Sequence, residues 1–553
     1  MRKRQTVLTF LALAMMAAVA CAAEDKAPAV KAFSRDFTVN KTYLVIPIHN
    51  GAKGCRLTLT VDGKPVRRYG TGLAADAESV DWYAFFTIER YKGKRATVSV
   101  NRATKEGFAL IRQSDHIPGE EKFYTEPLRP QFHFSQKVGW NNDPNGMVYY
   151  DGEWHLFFQH NPVGHGWGNM TWGHAVSKDL VHWKQLPNAL FPSTMAKGAC
   201  FSGSANIDHN NTAGFQTGDE KVMVAALTDT GAGEAIAYSN DRGRTFTWYE
   251  KNPVVKHKGR DPKIIWYEPG KHWVMAVFDQ REGSGGIAFY TSPNLKDWTY
   301  QSRIAGYHEC PELFELPVDG DAKNTRWVVY AGDAKYVLGS FDGKTFTPAH
   351  EGKHRVHWGN YYASQRFSNP PDGRIIQIGW ARIGMKGMPF NQTFSFPCRL
   401  TLHKTPDGIR MFAKPIKEIA LLHKKKHALG RTAVKPDAPA SVKTAGRLFD
   451  IRATFDVGDK AKTFGVQVGD RKVTYDVAKA KLEGMPLAPV DGKITMQILV
   501  DRPMIEVCGN DGRVYQTKPF HSKDEIESVR AFAGGGPVDL VSLEVYELKS
   551  IWK

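Results

Sequence analysis

Three short acidic motifs each place a carboxylate beside a run of residues that predicts a β-strand. They are Asn142-Asp143-Pro144-Asn145-Gly146, Arg260-Asp261-Pro262 and Glu309-Cys310-Pro311-Glu312. Two carboxyl groups flanking one sugar ring can cleave a glycosidic bond with retention, one as the nucleophile and the other as acid and base. A third acid can bind the sugar hydroxyls. Each acid also has a purely structural explanation: Asp143 as a turn cap, Asp261 as a salt-bridge partner of Arg260 and Glu309 as a surface charge. The catalytic interpretation therefore depends on all three acids lying in one site.

A loose repeat between residues 130 and 413 indicates how the acids would meet. Each of the first three units has a strand-like run followed by a serine near a turn. The serine is Ser177, near Asp179, in the first unit, Ser239, near Asp241, in the second, and Ser292 in the third. A fourth unit surrounds residues 339–346, and residues 374–380 supply a fifth. A spacing of about 50 residues is typical of one four-stranded propeller blade. The pattern predicts an all-β fold, a five-bladed β-propeller whose innermost strands point toward one axial funnel.

The order of the motifs resembles glycoside hydrolase family 32, the fructan hydrolases and invertases. Two further stretches, residues 167–175 (WGNMTWGHA) and 201–205 (FSGSA), match the family between the first and second acids. The resemblance covers roughly residues 130–402, with further signals near the C-terminus. It implies that Asp143 is the nucleophile, that Glu309 is the acid/base, and that Asp261 binds fructose hydroxyls.

The same resemblance implies a set of substrate-binding residues. Gln159, Trp167 and Ser202 match positions that line the fructose pocket, and Trp167 with Phe201 can stack on the sugar. Asn142 would contribute beside the nucleophile, and Arg260 beside the acid/base. The sequence predicts no cofactor and no catalytic metal, because the histidines near residues 155–182 form no compact ligand pattern.

The proposed chemistry asks for opposite environments at the two catalytic carboxyl groups. Asp143 should be hydrogen-bonded and ionised, whereas Glu309 should have a raised pKa. The flanking residues agree with this expectation. Amide side chains surround Asp143, whereas the apolar residues Leu313 and Phe314 follow Glu309.

Length and composition predict further domains around the propeller. A chain of 553 residues is longer than one hydrophobic core usually supports, so two or three domains are expected. We expect an N-terminal β module at 30–125, resembling the extra module of some gut-bacterial fructanases, a catalytic propeller at 126–430, and a C-terminal β-sandwich at 440–553. The segment from Pro415 to His427 is compatible with a helix, and the run Lys424-Lys425-Lys426 reads as a solvated connector. Five scattered cysteines after Cys21 argue against a disulfide framework.

The first residues resemble an export signal, with Arg2, Lys3 and Arg4 before an apolar run. We expect a signal peptide at 1–21, in which the sequence preceding Cys21 also resembles a lipoprotein cleavage box. The net charge of +17 is scattered and accompanies no nucleic-acid module, so no nucleic-acid partner is expected. The expected protein is a monomer that acts on a fructan oligo- or polysaccharide in the periplasm or at the cell surface, where a lipid anchor would hold it to a membrane.

Several functions remain open at this stage. The leading hypothesis is a retaining hydrolase that releases fructose from levan, inulin or sucrose. An endo-levanase would need an open cleft, and transfructosylation would use the same intermediate. A fructan-binding protein without activity is a further alternative, although such a protein has no need to keep all three acids.

Overall fold

The computed structural model describes residues 29–192, 197–522 and 524–552, apart from the side chain of Glu282. The predicted signal peptide and Cys21 lie outside the described residues. The chain is almost entirely β, and it contains a five-bladed propeller with a β-sandwich on either side in sequence. The helices among the described residues are short: one α-helix, α1 (Lys105–Ala109), and 3-10 turns at Glu89–Tyr91, Glu120–Lys122, Glu268–Gly270, Arg281–Gly283, Lys417–Leu422 and Asn510–Gly512. No helix in the described part of the chain is long and apolar enough to cross a membrane.

The N-terminal module consists of two antiparallel sheets with strand orders β1-β6-β3-β4 and β5-β2-β7. Alternating side chains point inward, as in β3, where every second residue is buried. The core between the sheets also contains Val138 and Val163, which lie in the propeller region of the sequence. The strands are β1 (Lys31–Thr38), β2 (Tyr43–Ile48), β3 (Cys55–Val61), β4 (Lys64–Thr71), β5 (Trp82–Thr87), β6 (Arg95–Ala103) and β7 (Arg112–Ser114).

The first four propeller blades are four-stranded antiparallel meanders. The predicted repeat marks the same turn in successive blades, since Ser177 binds Asp179 and Ser239 binds Asp241 just after the third strand. The strands are, by blade, β8 (Gly139–Tyr150), β9 (Glu153–Asn161), β10 (Thr171–Ser177) and β11 (Trp183–Leu190); β12 (Cys200–Asp208), β13 (Val222–Asp229), β14 (Gly233–Ser239) and β15 (Thr247–Trp248); β16 (Gly259–Tyr267), β17 (His272–Asp279), β18 (Gly286–Ser292) and β19 (Thr299–Ala305); β20 (Glu312–Val318), β21 (Asp321–Tyr330), β22 (Lys335–Phe341) and β23 (Phe346–Pro348).

The fifth blade is built on β26, β27, β30 and β31, and short strands link it to its surroundings. Strand β24 pairs with β22, β25 with the sandwich, β28 with β8 and β29 with β27. The first strands of the blades lie innermost, where β8 contacts β12 and β26, and β16 contacts β12 and β20. The strands are β24 (His354–Arg355), β25 (His357–Gly359), β26 (Tyr361–Arg366), β27 (Ile375–Ala381), β28 (Phe390–Asn391), β29 (Thr393–Phe394), β30 (Cys398–Thr405) and β31 (Gly408–Pro415).

The C-terminal sandwich packs a sheet of order β25-β42-β41-β40-β35-β44-β32 against one of order β34-β43-β36-β37-β38-β39. Its aliphatic and aromatic core is continuous between the sheets. The strands are β32 (His423–Leu429), β33 (Thr432–Val434), β34 (Ala440–Lys443), β35 (Phe449–Asp456), β36 (Thr463–Val468), β37 (Arg471–Asp476), β38 (Lys481–Leu482), β39 (Met485–Pro486), β40 (Lys493–Val500), β41 (Met504–Gly509), β42 (Val514–Pro519), β43 (Ser528–Gly534) and β44 (Val538–Leu548).

A buried ionic network joins the propeller to the sandwich. The imidazole of His133 lies 2.9 Å from Asp501 Oδ2 and 3.2 Å from Glu506 Oε2, and all three side chains are buried. Although burial lowers the pKa of His133, the charge of Glu506 and the hydrogen bond to Asp501 outweigh it and raise the pKa to about 9.

Two predictions about the connection between propeller and sandwich were wrong. The segment from Pro415 to His427 holds only the 3-10 turn Lys417–Leu422 before it becomes strand β32. The run Lys424-Lys425-Lys426 is exposed but belongs to β32, which pairs with β44. The five described cysteines, Cys55, Cys200, Cys310, Cys398 and Cys508, are free and buried.

Candidate active site

Irregularities in the innermost strands aim the candidate side chains into the funnel. The register shifts between Asn141 and Pro144 in β8, around Asp143, and between Cys200 and Gly203 in β12, around Ser202. It shifts again after Arg260 in β16. A bulge adds a residue to one strand and re-aims its side chain without breaking the sheet. The backbone of Asp261 is left-handed, with φ of 65°, a strained geometry typical of functional sites.

All nine predicted site residues line one cavity of about 250 Å³ at the propeller axis. They come from the first three blades and from the connections that follow β9 and β19: Asn142, Asp143, Gln159, Trp167, Phe201, Ser202, Arg260, Asp261 and Glu309. A neighbouring cavity of about 340 Å³ shares Phe201 and Arg260 with it. The propeller therefore brings together residues that lie more than 160 positions apart in the chain.

Asp143 accepts hydrogen bonds on both carboxylate oxygens. Ser202 Oγ donates to Oδ2 at 2.8 Å, and Asn142 Nδ2 donates to Oδ1 at 3.0 Å. The Cys310 thiol lies 3.7 Å from Oδ2. These donors hold the carboxylate in one orientation and favour its ionised form.

Asp261 is buried beside the same thiol. Its Oδ2 accepts from the backbone N–H of Cys310 at 3.0 Å and lies 3.6 Å from the Cys310 sulfur. The Arg260 guanidinium is 3.7 Å from the same oxygen. Cys310 thus bridges Asp143 and Asp261, and its left-handed backbone, with φ of 55°, turns the chain directly after Glu309.

Glu309 is held by two side chains, the cationic guanidinium of Arg260 and the phenol of Tyr362. Arg260 donates from Nε at 2.9 Å and from Nη2 at 2.5 Å to Glu309 Oε2, and Tyr362 Oη donates to Oε1 at 2.7 Å. Arg260 comes from blade 3 and Tyr362 from blade 5. The carboxylate is therefore held by side chains from the two blades that flank blade 4.

The three carboxyl groups differ in proton affinity. Burial among protein atoms, together with the charge of Glu309, raises the pKa of Asp143 to about 6 although its carboxylate faces the cavity. Burial and the charges of Asp143 and Glu309 raise the pKa of Asp261 to about 8. Burial also acts on Glu309, but the hydrogen bonds from Tyr362 and Arg260 outweigh it and lower its pKa. The expected raised pKa at Glu309 is therefore wrong for the substrate-free site.

Asp143 and Glu309 are electrostatically coupled, so each proton belongs to the pair rather than to one residue. The charge of Glu309 contributes to the raised pKa of Asp143. A proton placed on Glu309 removes that repulsion and lowers the pKa of Asp143. The form with a protonated Glu309 and an ionised Asp143 is therefore self-consistent, and covering Glu309 with substrate favours it by removing solvent.

The cavity mouth carries an aromatic rim. The side chain of Trp167 is 67% exposed, and its ring meets the Phe201 ring edge-to-face with centroids 5.9 Å apart. Aromatic faces at the mouth of a polar pocket suit the C–H faces of a sugar ring.

An ionic triad links the first strands of blades 3, 4 and 5, and we call Lys263, Glu312 and Arg366 the axial triad. Lys263 Nζ lies 2.8 Å from Glu312 Oε1, and Arg366 Nε lies 3.5 Å from Glu312 Oε2. All three residues are buried. The triad ties together β16, which carries Asp261, β26, which carries Tyr362, and β20, which begins three residues after Glu309.

Sequence reasoning missed four residues that line the cavity: Trp140, Met170, Tyr362 and Trp380. Trp140 lies two residues before the first acidic motif and Met170 lies inside the stretch at residues 167–175, but neither was assigned a role. Tyr362 lies in β26, for which the sequence predicted no role in the site. Its hydrogen bond to Glu309 joins residues 53 positions apart, so no local signal reveals it. In the described residues, no group of three or more His, Cys, Asp or Glu side chains is arranged as a metal site.

Comparisons with known proteins agree with this geometry. The family model described as the glycosyl hydrolases family 32 N-terminal domain matches residues 133–415, and the family 32 C-terminal model matches residues 469–547. A levanase of Bacillus subtilis is 38% identical, covering 78% of this chain and 72% of the levanase. An extracellular exo-inulinase of Aspergillus ficuum is 29% identical, covering 78% of this chain and 96% of the inulinase.

Solved structures give the same picture. The exo-inulinase of Aspergillus awamori superposes with a TM-score of 0.69 at 28% identity, covering 78% of this chain and all of that enzyme. A fructofuranosidase of Schwanniomyces occidentalis, solved with fructose, superposes with a TM-score of 0.68 at 26% identity, covering 77% of this chain and 99% of the other.

Proposed function

The chain belongs to glycosyl hydrolase family 32, and on that basis we propose that it releases fructose from β-fructans or sucrose with Asp143 as nucleophile and Glu309 as acid/base. The observation that carries this proposal is the convergence of Asp143, Asp261 and Glu309 on one cavity. Its relatives include a levanase and an exo-inulinase by name. The chain comprises a signal peptide at 1–21, an N-terminal module at 30–125, the catalytic propeller at 126–430 and a sandwich at 440–553.

The reaction proceeds in two steps at the anomeric carbon of fructose. In the first, an oxygen of Asp143 bonds to that carbon while Glu309 gives its proton to the departing oxygen. In the second, Glu309 takes a proton from water, and the water oxygen replaces Asp143 on the sugar. Ser202 and Asn142 hold Asp143 in place, and Arg260 and Tyr362 hold Glu309.

Asp261 and the rim residues bind the sugar. With a pKa raised to about 8, Asp261 carries a proton at neutral pH and limits the negative charge of the site. Its buried carboxyl can then both donate and accept hydrogen bonds to fructose hydroxyls. Gln159 lines the same wall, and Trp167 with Phe201 supplies apolar contact.

Exo action fits the dimensions of the site better than endo action. The cavity of about 250 Å³ is smaller than a typical ligand pocket of about 300–1,000 Å³, which suits one terminal sugar. Product analysis on levan, inulin and sucrose tests this: fructose alone supports exo action, and oligosaccharides from the first time points support an endo-levanase.

Two isosteric variants test the catalytic roles. Asp143→Asn should abolish turnover on every substrate, because an amide cannot form the glycosyl ester. Glu309→Gln should lose about 10²- to 10⁴-fold on sucrose, with a much smaller loss on an aryl fructoside whose leaving group needs no proton. Glu315→Gln is the matched control, since Glu315 lies exposed on the same strand β20. Equal losses of Glu309→Gln on both substrates would contradict the acid role, and a fully active Asp143→Asn would remove the nucleophile.

Export follows from the size of the substrate, since a fructan polymer does not cross a membrane intact. The proposed signal at 1–21 delivers the protein to the periplasm or the cell surface as a monomer. Acylation at Cys21 would then anchor it firmly with several chains. Cys21→Ser should release active enzyme into the soluble fraction with unchanged catalytic constants, and a wild-type protein that is already soluble after fractionation would leave ordinary cleavage as the alternative.

A further inference from the structure

The N-terminal module contacts the loop that carries the aromatic rim of the cavity. We call residues 162–170 the rim loop; it joins β9 to β10, and Trp167 lies near its centre. Three separate contacts connect this loop to the N-terminal module: a pair of hydrogen bonds, a shared core and a stacked ring pair. The module therefore lies against one wall of the substrate site.

The hydrogen bonds pair a side chain with an edge strand. Asn169 Oδ1 accepts from Gly70 N at 2.8 Å, and Asn169 Nδ2 donates to Gly70 O at 2.8 Å. Gly70 lies in β4, which is the outer strand of its sheet. An edge strand offers unpaired backbone groups, and the Asn169 amide takes the place of the missing neighbour.

The Asn169 amide also orders the rim loop itself. Asn169 Nδ2 donates to Asn161 Oδ1 at 2.9 Å, and Asn161 Nδ2 donates to Gly166 O at 2.8 Å. Asn169 has a left-handed backbone, with φ of 51°, which asparagine tolerates better than most residues. The Asn169 side chain, together with that of Asn161, thus links the edge strand to the backbone on both sides of Trp167.

The remaining contacts are apolar and aromatic. Val163 is fully buried in the core of the N-terminal module, and its carbonyl accepts from Thr71 Oγ1 at 2.8 Å. The His165 ring stacks on Trp82 with centroids 4.8 Å apart and planes 5° apart. The loop is anchored on the other side as well, because Asn391 Nδ2 donates to His165 O at 2.8 Å.

Trp167 has little support of its own. Its side chain is 67% exposed and has one aromatic neighbour, Phe201. Its position therefore depends on the backbone of the rim loop. We infer that the N-terminal module is a positioning element of the substrate site, which sets the place of Trp167 through Asn169; this inference rests on the proposed function.

Asn169→Gly tests the inference, because glycine accepts the left-handed backbone and only the amide is lost. The full-length variant should show a KM on levan or inulin raised by about two- to tenfold, the cost of ordering Trp167 at each binding event, with the loss on KM rather than on kcat. Asn211→Gly is the matched control. Asn211 also has a left-handed backbone, with φ of 49°, and its Oδ1 accepts one hydrogen bond, from Gln216 N, away from the module.

A double-mutant cycle distinguishes an effect of Asn169 on the position of Trp167 from a general loss of stability. If Asn169 acts through Trp167, adding Asn169→Gly to Trp167→Ala should leave KM unchanged from Trp167→Ala alone. Additive effects on KM, or an unchanged KM in either single variant, would overturn the inference.

Amide hydrogen exchange tests the contact between the N-terminal module and the rim loop in the absence of substrate. Asn169→Gly should speed amide exchange in residues 162–170 and leave exchange in the C-terminal sandwich unchanged, whereas unaltered exchange in the rim loop would refute the link. A wild-type protein that releases no fructose from levan, inulin or sucrose would refute the proposed function, and the exchange result would still decide whether the module holds the loop.

Discussion

Removing the anion from the axial triad should destabilise the propeller from its centre. Glu312 lies between two buried cations, 2.8 Å from Lys263 and 3.5 Å from Arg366. Neither of its oxygens accepts a hydrogen bond of good geometry, so the triad is held by charge. Glu312→Gln keeps the shape of the side chain but leaves the two cations facing each other.

The expected magnitude follows from the burial of the triad. Breaking a buried ion pair by removing one partner costs about 3–5 kcal/mol of unfolding free energy. Part of this cost should disappear at higher pH, because burial lowers the pKa of Lys263 to about 8 and its ammonium can give up a proton. Adding Lys263→Met to Glu312→Gln removes one of the two opposed cations, so the double variant should recover about half of the loss.

Urea unfolding of the wild type, both single variants and the double variant measures this coupling, at pH 6.5 and again at pH 9. Glu315→Gln controls for the loss of a carboxylate from β20. The triad ties the two strands that carry Asp261 and Tyr362 to the strand that follows Glu309, so kcat should fall with stability in Glu312→Gln. A double variant as unstable as the sum of its single variants would refute the reasoning, as would a Glu312→Gln penalty that grows with pH.

Three further outcomes are expected. First, kcat/KM on sucrose should fall as pH rises through about 6, where the Asp143–Glu309 pair loses its last proton; Glu309→Gln on an aryl fructoside should lack this alkaline limb, and its persistence would assign the limb elsewhere. Second, the raised pKa of His133 contributes about 3 kcal/mol of stability that is fully present below its unfolded pKa near 6.5 and is lost as pH rises through about 9; raising the pH from 6.5 to 9.5 should therefore lower the urea midpoint more in the wild type than in His133→Gln, and the same change in both proteins would count against the network. Third, a Cβ at Gly203 would lie 1.9 Å from Ala226 O, so Gly203→Ala should destabilise by about 1–3 kcal/mol and displace Ser202 from Asp143. Gly54→Ala, which meets nothing within 4 Å, is its control in thermal melts and activity assays, and equal melting temperatures would contradict the clash.

The sequence predicts those parts of the site that depend on local chain geometry. Asp143 lies in a short motif rich in Asn, Pro and Gly, and such residues mark bulges and turns before any tertiary contact forms. The same holds for the repeated turns at Ser177 and Ser239, which predicted the blades.

The charge state of Glu309 depends instead on contacts between blades. Arg260 is 49 residues before it and Tyr362 is 53 residues after it, so no local pattern shows that both bind its carboxylate. The apolar residues after Glu309 predicted a raised pKa, but the two donors outweigh burial. The strand at residues 423–429 has a similar origin, because β44 supplies its backbone partners from more than 110 positions away. A polar segment of this kind has no preference of its own strong enough to reveal such a partner.

The buried cysteines make each part of this protein separately observable. Cys55 lies in the N-terminal module, Cys200 and Cys398 in the second and fifth blades, and Cys508 in the sandwich, and none is accessible in the folded chain. A thiol reagent can reach each sulfur only when the surrounding sheet opens, so the labelling rate at each cysteine measures the local opening of its own sheet. The fold thus contains a set of native reporters, which can show by mass spectrometry whether the module, the blades and the sandwich unfold together or one after another.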